Sequence, residues 1–233
     1  MGAPQKLHFQ QLKEIISKQG KDYNIVHVAF GHVLGMYTRG AGEFIELNSF
    51  VDESYNKALE AYRSQLKGEA NSEARGEEEI ALSVSKAAIT FSTLSKTRIK
   101  DVQFSWEEAL AFQGDSGPYI LYAYARINSV KQKAGIEIPD TITASDLSED
   151  SAYNLVMQLS QFESALDKTI ESNDPAYLCA YSLDLAKLFS KAYQELKVVG
   201  DERAKSRLAL FEATAVVIKI CLNLLGVKTI DRM

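Results

Sequence analysis

The sequence predicts a mainly α-helical protein with a small α/β segment at its N terminus. Two patterns carry this. From Ser49 to Gly226, apolar residues recur at helical spacing in stretches that open on capping residues and close on glycine. Ahead of them, Asn24-Ile25-Val26-His27-Val28-Ala29-Phe30-Gly31 is a short continuous apolar run, of the kind that suits a strand buried on both faces of a parallel sheet. With 46% hydrophobic residues in a chain of 233, there is material for one large domain or two small ones, and the composition is not that of a disordered chain.

In chain order, Lys6 to Lys18 reads as an amphipathic helix with Leu7, Leu12, Ile15 and Ile16 inward and Gly20 just past its end. After the apolar run, Glu43 to Leu47 alternates and reads as a second short strand. Ser49 to Leu66 places Val51, Tyr55, Leu59 and Tyr62 on one helical stripe, and Asn71 to Glu79 reads as a polar loop. A further stripe runs Ile80, Val84, Ala88, Phe91, Leu94. Gly135 to Asp150 is an acidic connector with few apolar anchors, the best candidate for a domain boundary. Ser151 to Ile170 reads as one helix, with Leu155, Leu159, Phe162 and Leu166 inward. Asn173-Asp174-Pro175 starts the next, with Asp174 as N-cap, and it runs through Tyr181, Leu185, Leu188 and Tyr193 to Gly200. Asp201 starts the last, with Leu208, Phe211, Ala215, Ile218 and Leu222 inward.

The most informative stretch is FSWEEALAFQGDSGPYILYAYARINSV, Phe104 to Val130. Ser105 and Glu108 have capping-box spacing, the Gln113–Gly117 string breaks the period, and Pro118 suits a first helical turn. Beyond it, Tyr119, Tyr122, Arg126 and Ser129 share one face, and Ile120, Tyr124, Ile127 and Lys131 another. Two tyrosines and an arginine on one stripe can stack on unpaired bases and hold phosphates, or simply pack a helix on its neighbour with the hydroxyls at the rim.

Composition excludes several classes. No apolar run is long enough to span a bilayer, and the N terminus lacks a signal-peptide pattern, so a soluble, cytoplasmic protein is expected. Cys179 and Cys221 sit at apolar helical positions and read as buried thiols, and the three histidines have no ligand spacing, so neither metal nor other cofactor is expected. A net charge of −5 argues against broad non-specific nucleic-acid binding, although Lys187, Lys191, Lys197, Arg203, Lys205 and Arg207 concentrate positive charge toward the C terminus.

The pattern FxWExxLxFxGDxGPYxxYAxARxxSV at 104–130 resembles the junction between catalytic and anticodon-binding domains of class I arginyl-tRNA synthetases. QKLHFQQL and HVAFGHVLGM (His27 to Met36) are similar to the end of that family's nucleotide-binding domain. Tyr181, Leu185, Ala186, Phe189, Tyr193, Arg203, Arg207, Leu208, Leu210, Leu224-Leu225-Gly226 and Asp231-Arg232-Met233 resemble its DALR-type anticodon-binding domain. The resemblance implies three parts: residues 1–48 as a remnant of a Rossmann-like domain, 49–135 as a helical junction, and 150–233 as a helical bundle of anticodon-binding type. It explains the serine-hydrolase-like Gly114-Asp115-Ser116-Gly117 as a loop variant.

Met36 to Gly42 stands in the place of the family's KMSKS-type loop, with Tyr37 for its serine and Gly40 for a lysine, leaving Arg39 as the one cation for ATP phosphates. No HIGH-type motif, P-loop or GxGxxG occurs, so self-sufficient ATP-dependent activation is not expected. The resemblance implies tRNA contacts at Tyr119, Tyr122, Arg126, Tyr181, Arg203, Arg207, Arg232 and Met233. Three functions remain open, and the first is favoured. One is an aminoacyl-tRNA-dependent transferase of cyclodipeptide-synthase type, taking arginyl-tRNA and a second aminoacyl-tRNA and using His27, His32, Tyr37 and Arg39. The second is a non-catalytic module binding charged or uncharged arginine tRNA. The third is the C-terminal half of a synthetase. In each, the strand at Ile25 to Phe30 wants a cover, from a homodimer or another partner.

Overall fold

The computed structural model describes residues 2–21, 23–34, 46–66, 76–139 and 141–233. Its elements in chain order are α1 (Lys6–Lys18), β1 (Val33–Leu34), α2 (Leu47–Leu66), α3 (Glu77–Leu94), β2 (Val102–Gln103), α4 (Trp106–Ala109), α5 (Gly117–Ala134), α6 (Asp150–Ser160), α7 (Phe162–Ser172), α8 (Ala176–Glu195) and α9 (Ala204–Leu224). The chain is mainly α, and β1 and β2 form a two-stranded parallel sheet with Val33 opposite Val102 and Leu34 opposite Gln103.

α5 is the centre of the helical body. Ile120, Leu121, Ile127 and Tyr124 are buried, and α3, α8 and α9 pack on it. Ser116 caps it, accepting the Tyr119 amide at 3.2 Å while its hydroxyl donates to the Ala111 carbonyl. The Cβ that any other residue would add at Gly117 would lie 2.2 Å from the Ala87 carbonyl oxygen, so only glycine lets α5 enter this close to α3. α8 and α9 complete the core with Leu185, Phe189, Leu208, Phe211, Ile218 and Leu222, all fully buried. Gly226, in the left-handed region at φ 78°, turns the chain after α9, and Ile230 re-enters the core.

α2 and α3 form an antiparallel-type pair whose contact differs from the expected stripe. The buried face of α2 is Phe50, Ser54, Ala58 and Tyr62, while Val51 is exposed. Ser54 and Ser85 hydroxyls meet at 2.5 Å in this interface, so small residues that carry little hydropathy define the contact. Glu77, Glu78 and Glu79, expected in a loop, form the first turn of α3, where negative charge complements the helix dipole. The strand expected over 43–47 falls on 43–45, outside the described residues, and Leu47 already opens α2.

The Ser151–Ile170 stretch is two helices. Gln161 leaves the α-helical register, its amide turning back to the Gln158 carbonyl at 3.1 Å. Asn173 ends α7 in the left-handed conformation at φ 49°. α8 starts after Pro175, with Asp174 Oδ1 accepting from the Ala176 amide at 3.1 Å, and α9 starts at Ala204 rather than Asp201.

The N-terminal layer departs most from expectation. Residues 25–34 run extended but pair as a strand only at Val33–Leu34, with a parallel bridge from Gly2 to Phe30. Their side chains alternate between half-buried and exposed rather than being covered on both faces. Val26 is 62% exposed and Phe30 52%, and the side of α1 expected to face inward is bare, with Leu7 63% and Ile15 57% exposed.

The acidic connector is held by an ionic cluster at the start of α9. Arg207 is 2% exposed and pairs with Glu149, with Asp201 at 3.1 Å and with the Lys197 carbonyl at 2.7 Å. Arg203 joins Glu149 at 2.9 Å, and Ser206 donates to Asp146 at 2.8 Å. Burial pushes the Glu149 carboxyl up, but its backbone hydrogen bond and the Arg207 and Arg203 charges outweigh it and hold the pKa below the ordinary value.

Two outcomes follow from this packing. Gly117→Ala destabilises the fold by about 1–3 kcal/mol through overpacking against α3, read as a lowered urea midpoint. A depressed carboxyl contributes stability that is present above its unfolded pKa and lost as pH falls through the folded one. Thermal scans therefore show the melting temperature dropping as pH is lowered through the carboxylate range. Glu149→Gln costs about 1.5–3 kcal/mol at pH 7 and flattens that drop.

Candidate nucleic-acid interface

The stripe on α5 meets α8 in one polar, aromatic contact. Tyr119 hydrogen-bonds the Ser190 hydroxyl at 2.9 Å. Two turns on, the Arg126 guanidinium lies over the Tyr122 ring at 4.5 Å and the Tyr193 ring at 5.0 Å, and it also donates to the Tyr122 hydroxyl at 2.7 Å. Ser129, further along the same face, spends its hydroxyl on the Ala125 carbonyl. Tyr119, Tyr122 and Arg126 are half-buried, whereas Tyr193 is 38% exposed. Lys187 on α8 closes the far end with an ion pair to Asp115 at 2.6 Å; that hydrogen bond raises the lysine's pKa and holds the Gly114–Gly117 loop against α8. The result is a cation held between two aromatic faces at a solvent-accessible edge.

The C-terminal residues lie on a different flank of α5. Asp231 accepts from Asn128 at 3.2 Å and Arg232 donates to Gln132 at 2.8 Å, while Met233 packs half-buried on the core. At about 100° per residue, Asn128 and Gln132 sit well round the helix from Tyr122 and Arg126. The terminus is thus folded onto the helix that carries the stripe, but beside it.

Two expected contact residues are interior. Tyr181 is buried, with its hydroxyl donating to the Gln158 carbonyl at 2.9 Å and its pKa raised by burial. Arg207 is enclosed in the ionic cluster with Glu149 and Asp201, and Arg203 is its half-buried neighbour. The basic concentration toward the C terminus is therefore partly spent on internal carboxylates, with Lys191, Lys197 and Lys205 exposed around it. Cys179 and Cys221 are buried free thiols, each pushed up to about 12, chiefly by burial, and so inert as nucleophiles.

At the N terminus, His27 stacks on Phe9 with ring centroids 4.5 Å apart and planes at 18°. It lines an open cavity of about 510 Å³ together with Lys6, Phe9, Lys13, Ile25 and Ile99, and its Nε2 is buried without a hydrogen-bond partner among the described residues. His32 is exposed and does not line that cavity; its amide donates to Asp101 at 2.7 Å. Tyr37 and Arg39 lie outside the described residues. Among the described residues, no group of His, Cys, Asp and Glu could hold a metal ion and no helix is long and apolar enough to cross a membrane. The sequence reading left Ser190 and Tyr193 out of the interface because they belong to another helix; no spacing rule on α5 points to them.

A family model described as the class I (R) tRNA synthetase catalytic domain matches residues 1–106, and one described as the DALR anticodon binding domain matches residues 120–233. The chain is 33% identical over 240 aligned positions to the arginine–tRNA ligase of Halothermothrix orenii and 35% identical over 242 to that of Clostridium botulinum, with all of this chain covered in each case. It spans 42% of the length of those relatives. The arginyl-tRNA synthetase of Plasmodium falciparum superposes over the whole chain and 40% of its own, with a TM-score of 0.85 at 27% identity. That of Thermus thermophilus superposes over 89% of this chain and 35% of its own, with a TM-score of 0.75 at 29% identity.

The aromatic–arginine contact gives a stability prediction separate from any ligand. Tyr193→Ala removes one face of the sandwich and costs at most about 1 kcal/mol of folding stability, since the ring is partly exposed, as measured by denaturant titration. By sequence and by fold, along nearly its whole length, this chain belongs to the arginyl-tRNA synthetase family, as the end of the class I catalytic domain followed by the DALR anticodon-binding domain.

Proposed function

We propose that this chain grips arginine tRNA by its anticodon arm through the α5–α8 contact, acting as the tRNA-binding part of an arginine–tRNA ligase. The observation that carries the reading is the Arg126 guanidinium held between Tyr122 and Tyr193, which offers unpaired bases a stacking surface with a cation beside it. Tyr119 braces that surface through Ser190, and Arg232 and Met233 add tRNA contacts from the neighbouring flank of α5. Tyr181, Arg203 and Arg207 serve the frame: one fills the core and the other two fasten the connector to α9.

The test is equilibrium binding of an arginine tRNA transcript at fixed salt, beside a transcript with a changed anticodon. Arg126→Ala weakens binding of the first by about tenfold or more, because one stacked base is worth about 1–3 kcal/mol. Equal affinity for both transcripts, or an unaffected variant, overturns the reading.

A second part of the proposal rests on the bare N-terminal layer. Parallel sheets are covered on both faces, and here Leu7, Ile15, Val26 and Phe30 are open to solvent. We infer that this face docks the nucleotide-binding part of an arginine–tRNA ligase, the relatives being more than twice the length of this chain. In that assembly Arg39 supplies positive charge to the ATP phosphates. Mixing the chain with a purified nucleotide-binding half forms a complex that arginylates tRNA, and a Val26→Glu, Phe30→Glu double variant abolishes the complex while keeping tRNA affinity. Self-association through the same face, or no complex at all, counts against it. The reading that the sequence favoured, aminoacyl transfer to a cyclodipeptide, gains no support, since His27 lies flat on Phe9, His32 is outside its cavity, and the relatives are described as ligases.

A further inference from the structure

The loop between α3 and α4 is bonded on two sides. On one it zips to the N-terminal layer: the Gly31 amide donates to the Arg98 carbonyl at 2.8 Å, Val102 to His32 at 2.8 Å and Phe104 to Leu34 at 3.1 Å. The approach is close enough that a Cβ on Gly31 would lie 2.3 Å from the Lys100 carbonyl oxygen. On the other side the same loop reaches the α7–α8 turn. The Arg98 amide donates to Asp174 Oδ2 at 3.2 Å, while Asp174 Oδ1 caps α8 through the Ala176 amide.

The Arg98 side chain joins the two sides. One guanidinium nitrogen donates to the Ala29 carbonyl at 2.5 Å in the extended N-terminal segment, and the other to the Ser172 carbonyl at 3.3 Å at the end of α7. Its Nε is buried with no partner among the described residues. A planar fork that bonds carbonyls on two separate segments, at a crossing of three, is a joint between them. α8 is a continuous helix from this joint to Tyr193, a rigid span of about 25 Å at 1.5 Å per residue.

We infer that Arg98, with Asp174, is a positioning residue that transmits occupancy of the tRNA end of α8 to the backbone of residues 29–34, the segment that runs into 36–42. The inference rests on the tRNA-binding reading above. The physical route is a rigid helix whose N-terminal cap is shared with the loop that holds the N-terminal layer, so a shift at Tyr193 reaches Gly31 through two hydrogen-bonded side chains and no flexible linker.

Hydrogen exchange read by mass spectrometry, with and without an arginine tRNA transcript, tests it on the full chain. In the wild type, tRNA slows exchange several-fold at 29–34 and 102–104 as well as on α5 and α8. Arg98→Lys keeps the charge but loses the fork, so tRNA affinity is unchanged and the slowing at 29–34 disappears; Asp174→Asn gives the same result by an independent route. If the variants merely raise exchange at 29–34 in free and bound protein alike, with the tRNA-induced slowing intact, Arg98 is a structural bridge only and the inference is overturned. Protection on α5 and α8 but none at 29–34 in the wild type overturns it alone. No change anywhere on adding tRNA overturns the binding reading together with it.

Discussion

Everything in the helical body depends on how closely α5 can approach α3. Gly117 sits where a methyl group would overlap the Ala87 carbonyl, and the rest of the Phe104–Val130 stretch arranges itself around that contact. Ser116 caps the helix from one side while binding the Ala111 carbonyl on the other, and Asp115 ties the loop to Lys187 on α8. With its start pinned, the rotation of α5 is set. Ile120, Tyr124 and Ile127 turn into the core, and Tyr119, Tyr122 and Arg126 turn toward α8. A wider approach would rotate or lift that stripe, and the arginine would lose at least one of its aromatic faces.

Arginine shows how far neighbours decide the use of one residue type. Arg207 and Arg126 are both on long helices of the same body. Arg207 meets two carboxylates and a carbonyl and becomes a buried fastener for the connector. Arg126 meets two tyrosine rings and one hydroxyl at an accessible edge, and among the described residues it forms no ion pair. A buried ion pair contributes little net stability over an apolar alternative, but it is costly to break, so the Arg207 cluster specifies where the connector lies. The guanidinium between rings instead stays at an accessible edge, so a chain of net charge −5 still carries a cation there.

The N-terminal layer is the least finished part of the molecule. Its extended segment is held edge-on by the 98–104 loop, yet its outer side chains and those of α1 face solvent. A two-stranded sheet has little stability of its own, and an apolar strip of this kind is completed by further sheet or by helix cover. The catalytic-domain match over 1–106 agrees with that incompleteness.

By itself the sequence determined the helical character, most helix ends and the identity of the α5 stretch, because caps, proline, glycine and periodicity are local signals. Ser105, Ser116 and Asp174 cap their turns as the residue types require. Tertiary structure alone decided which stripe of α2 is inside, since Ser54 meets Ser85 across the α2–α3 contact and Ala58 is buried on the same face, neither singled out by hydropathy. It also decided that Leu7 and Val26 are left uncovered by the described residues, which no local pattern reveals because amphipathicity states a need for cover and not its source. At the interface, α5 declared Tyr119, Tyr122 and Arg126, but Tyr193 and Ser190 came from a helix more than sixty residues away. Long-range pairing is set by the packing of whole helices, and that packing turned a stripe of three residues into a cation between two rings.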